Sequence, residues 1–248
     1  MTRREAVNRR RGMLLMAPTV LALGTLTVYP GIWVLWLSLQ HRIPIFGVSR
    51  FAGFDELNEY RRNLLRLGTI GIDANGVGFG NLSVRNGATS HFYITGSGTG
   101  KLLELTPADC AMVVAYDFAT NWLQCEGLTV ASSESLTHAA VYESDPSTCA
   151  VIHCHDMKLW PALLHKVPTT PEKVEYGTPE MAYAVRGLFD NTDVLKKKIF
   201  VMAGHAGGVV AFGRDLRSAF AQLTKERMNE EGREELRIKN TPRWDRGG

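Results

Sequence analysis

Between Thr148 and His155 the chain runs through an apolar stretch that ends in two histidines one residue apart, within VIHCHD at 151–156. Read as a strand over Thr148–His155, it turns alternate side chains to the same face. His153 and His155 then point one way and Cys154 the other. Two neutral imidazoles held a few ångströms apart suit a metal ion. The plain alternative is a surface strand with two exposed polar residues. Two other segments bear on the choice. Glu134 lies in ASSESLTHAAVYESDP, at the start of a helix preceding that strand, and His205 lies in VMAGHAGGVVAFG, in a glycine-rich turn between two strands. His153, His155 and His205 supply three nitrogen ligands and leave one coordination position open, the pattern of a catalytic zinc site. A single zinc with ligands at about 2.0–2.1 Å predicts nearest ring nitrogens within about 3–4 Å of one another. Taken singly, Glu134 also reads as a carboxylate favoured by the helix dipole, and His205 as a turn residue.

The 248 residues suffice for one large domain or a domain with an appendage. The formal net charge of +3 hides a division. Residues 1–50 hold seven arginines against one acid, a net of +6, while the remainder holds 21 Lys/Arg against 24 Asp/Glu, a net of −3. The acidic body argues against nucleic acid as a partner. Cys110, Cys125, Cys149 and Cys154 form no CxxC pair, so free thiols in a reducing compartment are expected rather than a disulfide framework or zinc finger.

The chain divides into a basic N-terminus (1–12), a candidate transmembrane helix (13–40), a linker (41–54), an α/β body (55–235) and a loose tail (236–248). Met13–Leu39 contains no charged residue and is long enough to cross a core about 30 Å thick. Tyr29, Trp33 and Trp36 lie toward its far end, where aromatic belts form. No small-x-small site follows it to favour a secretory signal, and a buried core helix is the structural alternative. The stretch RRRGMLLMAPTVLALGTLTVYPGIWVLWLSL resembles the first membrane span of sugar ABC-transporter permeases, but no second long apolar run follows, which excludes a working permease. Five arginines precede the span, so the positive-inside rule places the N-terminus in the cytoplasm and the body outside.

In the body, helices are expected over Asp55–Arg66, Ser133–Glu143, Met157–Leu164 and Asp215–Glu235, with another starting at Thr178-Pro179-Glu180. GFGNLSVR, HFYITGSG, CAMVVAYDF, STCAVIHCH, KIFVMAG and GGVVAFG read as strands, the first two joined by a turn at Asn86-Gly87.

In order, GNLSVR, ITGSGTGKLLELTPAD, SSESLTHAAVYESDPSTCAVIHCHD and GHAGGVVAFGRDL resemble the class II aldolase/adducin family over about residues 55–225. The resemblance implies a three-layer α/β/α fold with a central, largely antiparallel sheet, usually assembled as a homotetramer. It implies a metal, most simply Zn²⁺, on His153, His155 and His205, and acid/base work by Glu134. It implies a phosphorylated sugar as substrate, its phosphate held by Asn81, Ser97, Gly98, Ser132 and Ser133. Glycine-rich turns and a helix N-terminus suit an anion; ordinary turn chemistry is the other account of Asn81 and Ser97. The implied activity is retro-aldol cleavage through a metal-stabilised enediolate. Epimerisation or dehydration of a ketose phosphate uses the same site, and a membrane-tethered, adducin-like interaction domain is the non-catalytic alternative, against which the three histidines and Glu134 count.

The sequence departs from the sugar-phosphate aldolases in two places. Gly78 stands where they carry a threonine before the GNLS asparagine. They also use tyrosines beyond the His-x-His strand and near the C-terminus, whereas the last tyrosine here is Tyr183 and Tyr176 falls in a different motif, EYGTPE. Phosphorylated substrates and free thiols place the body in the cytoplasm, against the topology read from the arginines; the chemistry rests on several motifs and takes precedence, while the N-terminal segment still suggests membrane anchoring.

Overall fold

The computed structural model describes residues 53–240, together with Met16, Pro18, Leu23, Gly24 and the segments 42–43 and 48–49. The chain divides into two compact units, Met1–Arg50 and Phe51–Gly248. In the first, Met16, Pro18 and Leu23 are helical, and Arg42–Ile43 pairs antiparallel with Val48–Ser49. The expected span 13–40 lies otherwise outside the described residues. Among those described, no helix is long and apolar enough to cross a membrane.

The second unit opens with α1 (Phe54–Arg66), followed by a short hairpin of β1 (Gly71–Ile72) and β2 (Gly78–Phe79). Next come β3 (Asn81–Arg85), β4 (Phe92–Thr95), β5 (Cys110–Asp117) and β6 (Trp122–Glu126). Helix α2 (Ser135–Ser144), β7 (Ala150–His155), α3 (Leu159–Leu163), α4 (Pro179–Asn191) and α5 (Val194–Lys197) lead to β8 (Ile199–Val201), β9 (Gly208–Gly213) and α6 (Leu216–Asn240). Seven strands form one antiparallel sheet in the order β8-β9-β7-β3-β4-β5-β6.

Strict alternation divides the core in two. On β7, Val151 joins Phe92, Ile94, Phe200 and Phe212 beneath α2 and α4, which contribute Leu136 and Met181. Ala150, Ile152 and Cys154 turn to the other face and pack with Leu57 and Leu64 of α1, Leu159 of α3 and Leu223 of α6. Helices therefore cover both faces of the sheet, giving the α/β/α layering. Cys154 lies opposite its neighbouring histidines, and all four cysteines are free thiols.

Several boundaries move, each for a local reason. Helix α1 begins at Phe54, which is buried, so the last residues assigned to the linker belong to the body; its N-cap is Gly53, with Asp55 in the first turn. GFGNLSVR is not one strand: Gly80 adopts φ +75, which a side chain rarely tolerates, and separates β2 from β3. Asp156 Oδ1 accepts from the Lys158 and Leu159 amides at 2.9 Å, and α3 starts only after that turn. Thr178 caps α4 as expected, accepting from Met181 N at 3.3 Å. Helix α6 runs to Asn240, so the first part of the tail is helical.

Candidate metal centre and anion cradle

The sheet's two central pairings bring the site together. His153 stands opposite Asn81 on β3 and Val210 on β9. His155, two residues on, ends β7 on the same face. His205 enters from the β8–β9 turn, which is closed by His205 N donating to Met202 O at 3.2 Å and Gly208 N to His205 O at 2.8 Å. One ligating atom from each of the three histidines lies within 4.8 Å of the others. Ring centroids are 5.1 Å apart for His153–His155, 5.3 Å for His153–His205 and 4.4 Å for His155–His205. The spacing is looser than the 3–4 Å expected for ligands about one zinc, but the convergence holds.

The chemistry of this donor set fits a divalent cation. His153 is buried and its Nε2 has no hydrogen-bond partner. Burial drives the His153 pKa well below its ordinary value, with the neighbouring histidines adding to the effect. Burial also lowers His155, and takes His205 to about 4. All three rings are therefore neutral near pH 7 and offer lone pairs, as metal ligation requires.

Glu134 sits at the N-cap of α2, at the helix start as expected, with the helix itself beginning at Ser135 rather than Ser133. Ser132 makes the turn that leads into the helix: its O accepts from Ser135 N at 3.0 Å, and its Oγ accepts from Glu134 N at 3.3 Å. Burial raises the Glu134 carboxyl to about 7, against a hydrogen bond from Thr137 Oγ1 to Oε2 at 2.9 Å that favours the anion. Its Oε1 has no partner. A carboxyl poised near neutrality is suited to taking up and returning a proton.

A cavity of about 560 Å³ gathers these groups. Its lining includes every residue singled out from the sequence: Asn81, Ser97, Gly98, Ser132, Ser133, Glu134, His153, His155 and His205. Gly96–Gly100, Ser132 and Ser133 form a wall of hydroxyls and backbone at the N-terminal end of α2. The β1–β2 hairpin contributes Asp73 and Gly76–Phe79 to the rim, which the sequence had not placed there. Tyr176 also enters the cavity, its ring 4.2 Å from that of His205. It precedes α4 on a loop, where no periodicity announces it.

Residues 72–225 match the model of the class II aldolase and adducin N-terminal domain. The chain belongs to this class II aldolase/adducin family. No curated protein matches it in sequence comparison. Among solved structures, an L-fuculose 1-phosphate aldolase aligns with a TM-score of 0.57 at 21% identity, over 76% of this chain and 87% of the other. An L-fuculose-1-phosphate aldolase from Thermus thermophilus aligns with a TM-score of 0.54 at 23% identity, over 79% and 96%. A sugar-phosphate aldolase from Thermotoga maritima gives 0.55 at 16% identity, over 76% and 97%. At these identities the likeness shows the fold: this family member has the architecture of class II aldolases.

Proposed function

We propose that the body is a metal-dependent lyase that cleaves a carbon–carbon bond in a phosphorylated sugar. The observation that carries this reading is the pairing of three neutral histidines with a buried carboxyl held near neutrality, in one cavity walled on one side by amides and hydroxyls. His153, His155 and His205 would hold the metal, which we take to be Zn²⁺ from the all-nitrogen donor set and the open position. When bound, it would polarise the substrate carbonyl and stabilise negative charge developing on oxygen. Asn81, Ser97, Gly98, Ser132 and Ser133 anchor the phosphate, which the α2 N-terminus stabilises. Glu134 removes the hydroxyl proton whose loss starts the cleavage and returns it later. Tyr176, whose ring lies against that of His205, is our candidate for a second proton donor. Free thiols and a phosphorylated substrate support a cytoplasmic body, and the family resemblance supports a homotetramer.

The test is metal analysis of the purified protein, followed by assay against a panel of ketose 1-phosphates with detection of the released aldehyde. Stoichiometric zinc and metal-dependent cleavage are expected. A protein that binds no divalent metal would end this reading.

A further inference from the structure

Leu57, Arg61 and Leu64 fall on one face of α1, and all three are buried. A helix lays such a stripe against an apolar core, so an arginine within it needs a reason. Its guanidinium meets the loop that follows β4. Nη2 donates to Thr99 O at 2.7 Å, and Nη1 donates to Leu102 O. One turn earlier, Asn58 holds the same loop, donating to Leu105 O at 2.8 Å and accepting from Leu105 N at 3.0 Å.

Both partners of Arg61 are neutral carbonyls. Among the described residues, no carboxylate forms an ion pair with it. Asp109 acts on it electrostatically from farther off, with its Oδ2 taken by Thr106 N and Thr106 Oγ1, each at 2.7 Å. Cys110 is also near, but burial pushes its thiol up to about 12, so it is neutral at pH 7. Arginine keeps its proton in proteins. A full positive charge is therefore buried here, and that is costly unless an opposite charge answers it.

The cavity is where such a charge can enter. Thr99, whose carbonyl meets Arg61, lines the cavity together with Ser97, Gly98 and Gly100, whereas Arg61 does not. One layer of backbone thus separates the guanidinium from the wall proposed to hold phosphate. A trans peptide unit points its C=O and N–H in opposite directions, so holding Thr99 O toward α1 turns the Gly100 N–H away from it. We infer that Arg61 is the buried cation behind the anion cradle, a positioning residue that fixes the turn from Thr99 to Leu102 and attracts a phosphate it does not touch. The inference rests on the proposed phosphate site and adds the charge that makes this wall select an anion.

The test uses the full chain, inorganic phosphate followed by calorimetry, and Co²⁺ followed by its visible absorption. Arg61→Gln keeps a donor for a carbonyl but loses the charge. It should weaken phosphate by about 10–100-fold, as removal of a unit charge one backbone layer from a dianion predicts, and leave Co²⁺ affinity unchanged. Arg61→Lys restores the charge without the fork that holds both carbonyls. It should bind phosphate more tightly than Arg61→Gln, a rescue that a merely structural tie, served by either residue, would not show. Wild-type phosphate affinity in Arg61→Gln, or equal losses in the two variants, would overturn the inference and leave the proposed function standing. Should Arg61→Gln not fold, Asp109→Asn decides. It still accepts from Thr106 but no longer opposes the Arg61 charge, so phosphate should tighten by about 2–10-fold; an unchanged affinity overturns the inference. A wild type that binds no phosphate sinks both.

Discussion

A carboxyl that titrates near neutrality leaves two signatures that an ordinary one does not. With Glu134 at about 7, turnover by a general base should rise with pH along a limb centred near that value. Glu134→Gln should remove the limb and lower turnover by about 10²–10⁴-fold while metal content stays intact. His155→Ala should instead lose the metal, and equal metal loss in both variants would make Glu134 a ligand. Stability supplies the second signature. Glu134 holds its proton more tightly folded than unfolded, so it favours folding at low pH. That benefit is lost as pH rises from about 4.5 through about 7. In metal-free protein, Glu134→Gln should therefore resist urea better than wild type at pH 8, by on the order of 3 kcal/mol, and match it below pH 4.5. Denaturation curves at both pH values decide this. Glu134 and the histidines were legible because Ser-Ser-Glu, His-x-His and the glycine turn are compact local patterns. Tyr176 was not: it reaches His205 from a loop, through tertiary contact alone.

The β1–β2 hairpin lies against the 3₁₀ turn Thr99–Lys101 through glycines. A Cβ on Gly100 would fall 2.0 Å from Gly71 O and 3.1 Å from Gly78 Cα, both backbone atoms that cannot swing aside. Gly100→Ala should displace the hairpin at a cost of about 1–3 kcal/mol. Because the hairpin rims the cavity beside Ser97 and Gly98, phosphate should bind more weakly, while Co²⁺ binding is unchanged. Parallel titrations check both; weakened Co²⁺ would show that the hairpin also supports the histidines. This hairpin escaped the sequence because two-residue strands cannot display a period. Strand β6 escaped for another reason. It is an edge strand whose only inward positions are Leu123 and Cys125, between the exposed Trp122, Gln124 and Glu126. By contrast, β7, with its apolar residues dividing cleanly between two cores, was readable almost to its ends.

At the scale of the molecule, Phe54 is the first of the described residues in either core of the body. A chain begun at Gly53 should fold, bind Co²⁺ and unfold cooperatively with about 5–15 kcal/mol of stability; one begun at Asp55 should be weaker through loss of Phe54. Aggregation of the longer version despite an intact metal site would make residues 1–52 a structural element. Sedimentation of the same protein tests the proposed tetramer. The way the three histidines are gathered also sets an order of events in folding. His153 and His155 arrive with one strand, but His205 sits on a turn far along the chain, and it approaches them only once β9 has docked on β7. Non-local strand pairings of this kind form slowly. A nascent or refolding chain therefore has no three-histidine cluster to offer until its central sheet is closed, and uptake of the proposed metal should be among the last steps. In stopped-flow refolding with Co²⁺ present, the visible absorption should grow in the slowest phase, after secondary structure has formed. Ion capture would then act as a seal on a finished fold, rather than as the seed around which it grows.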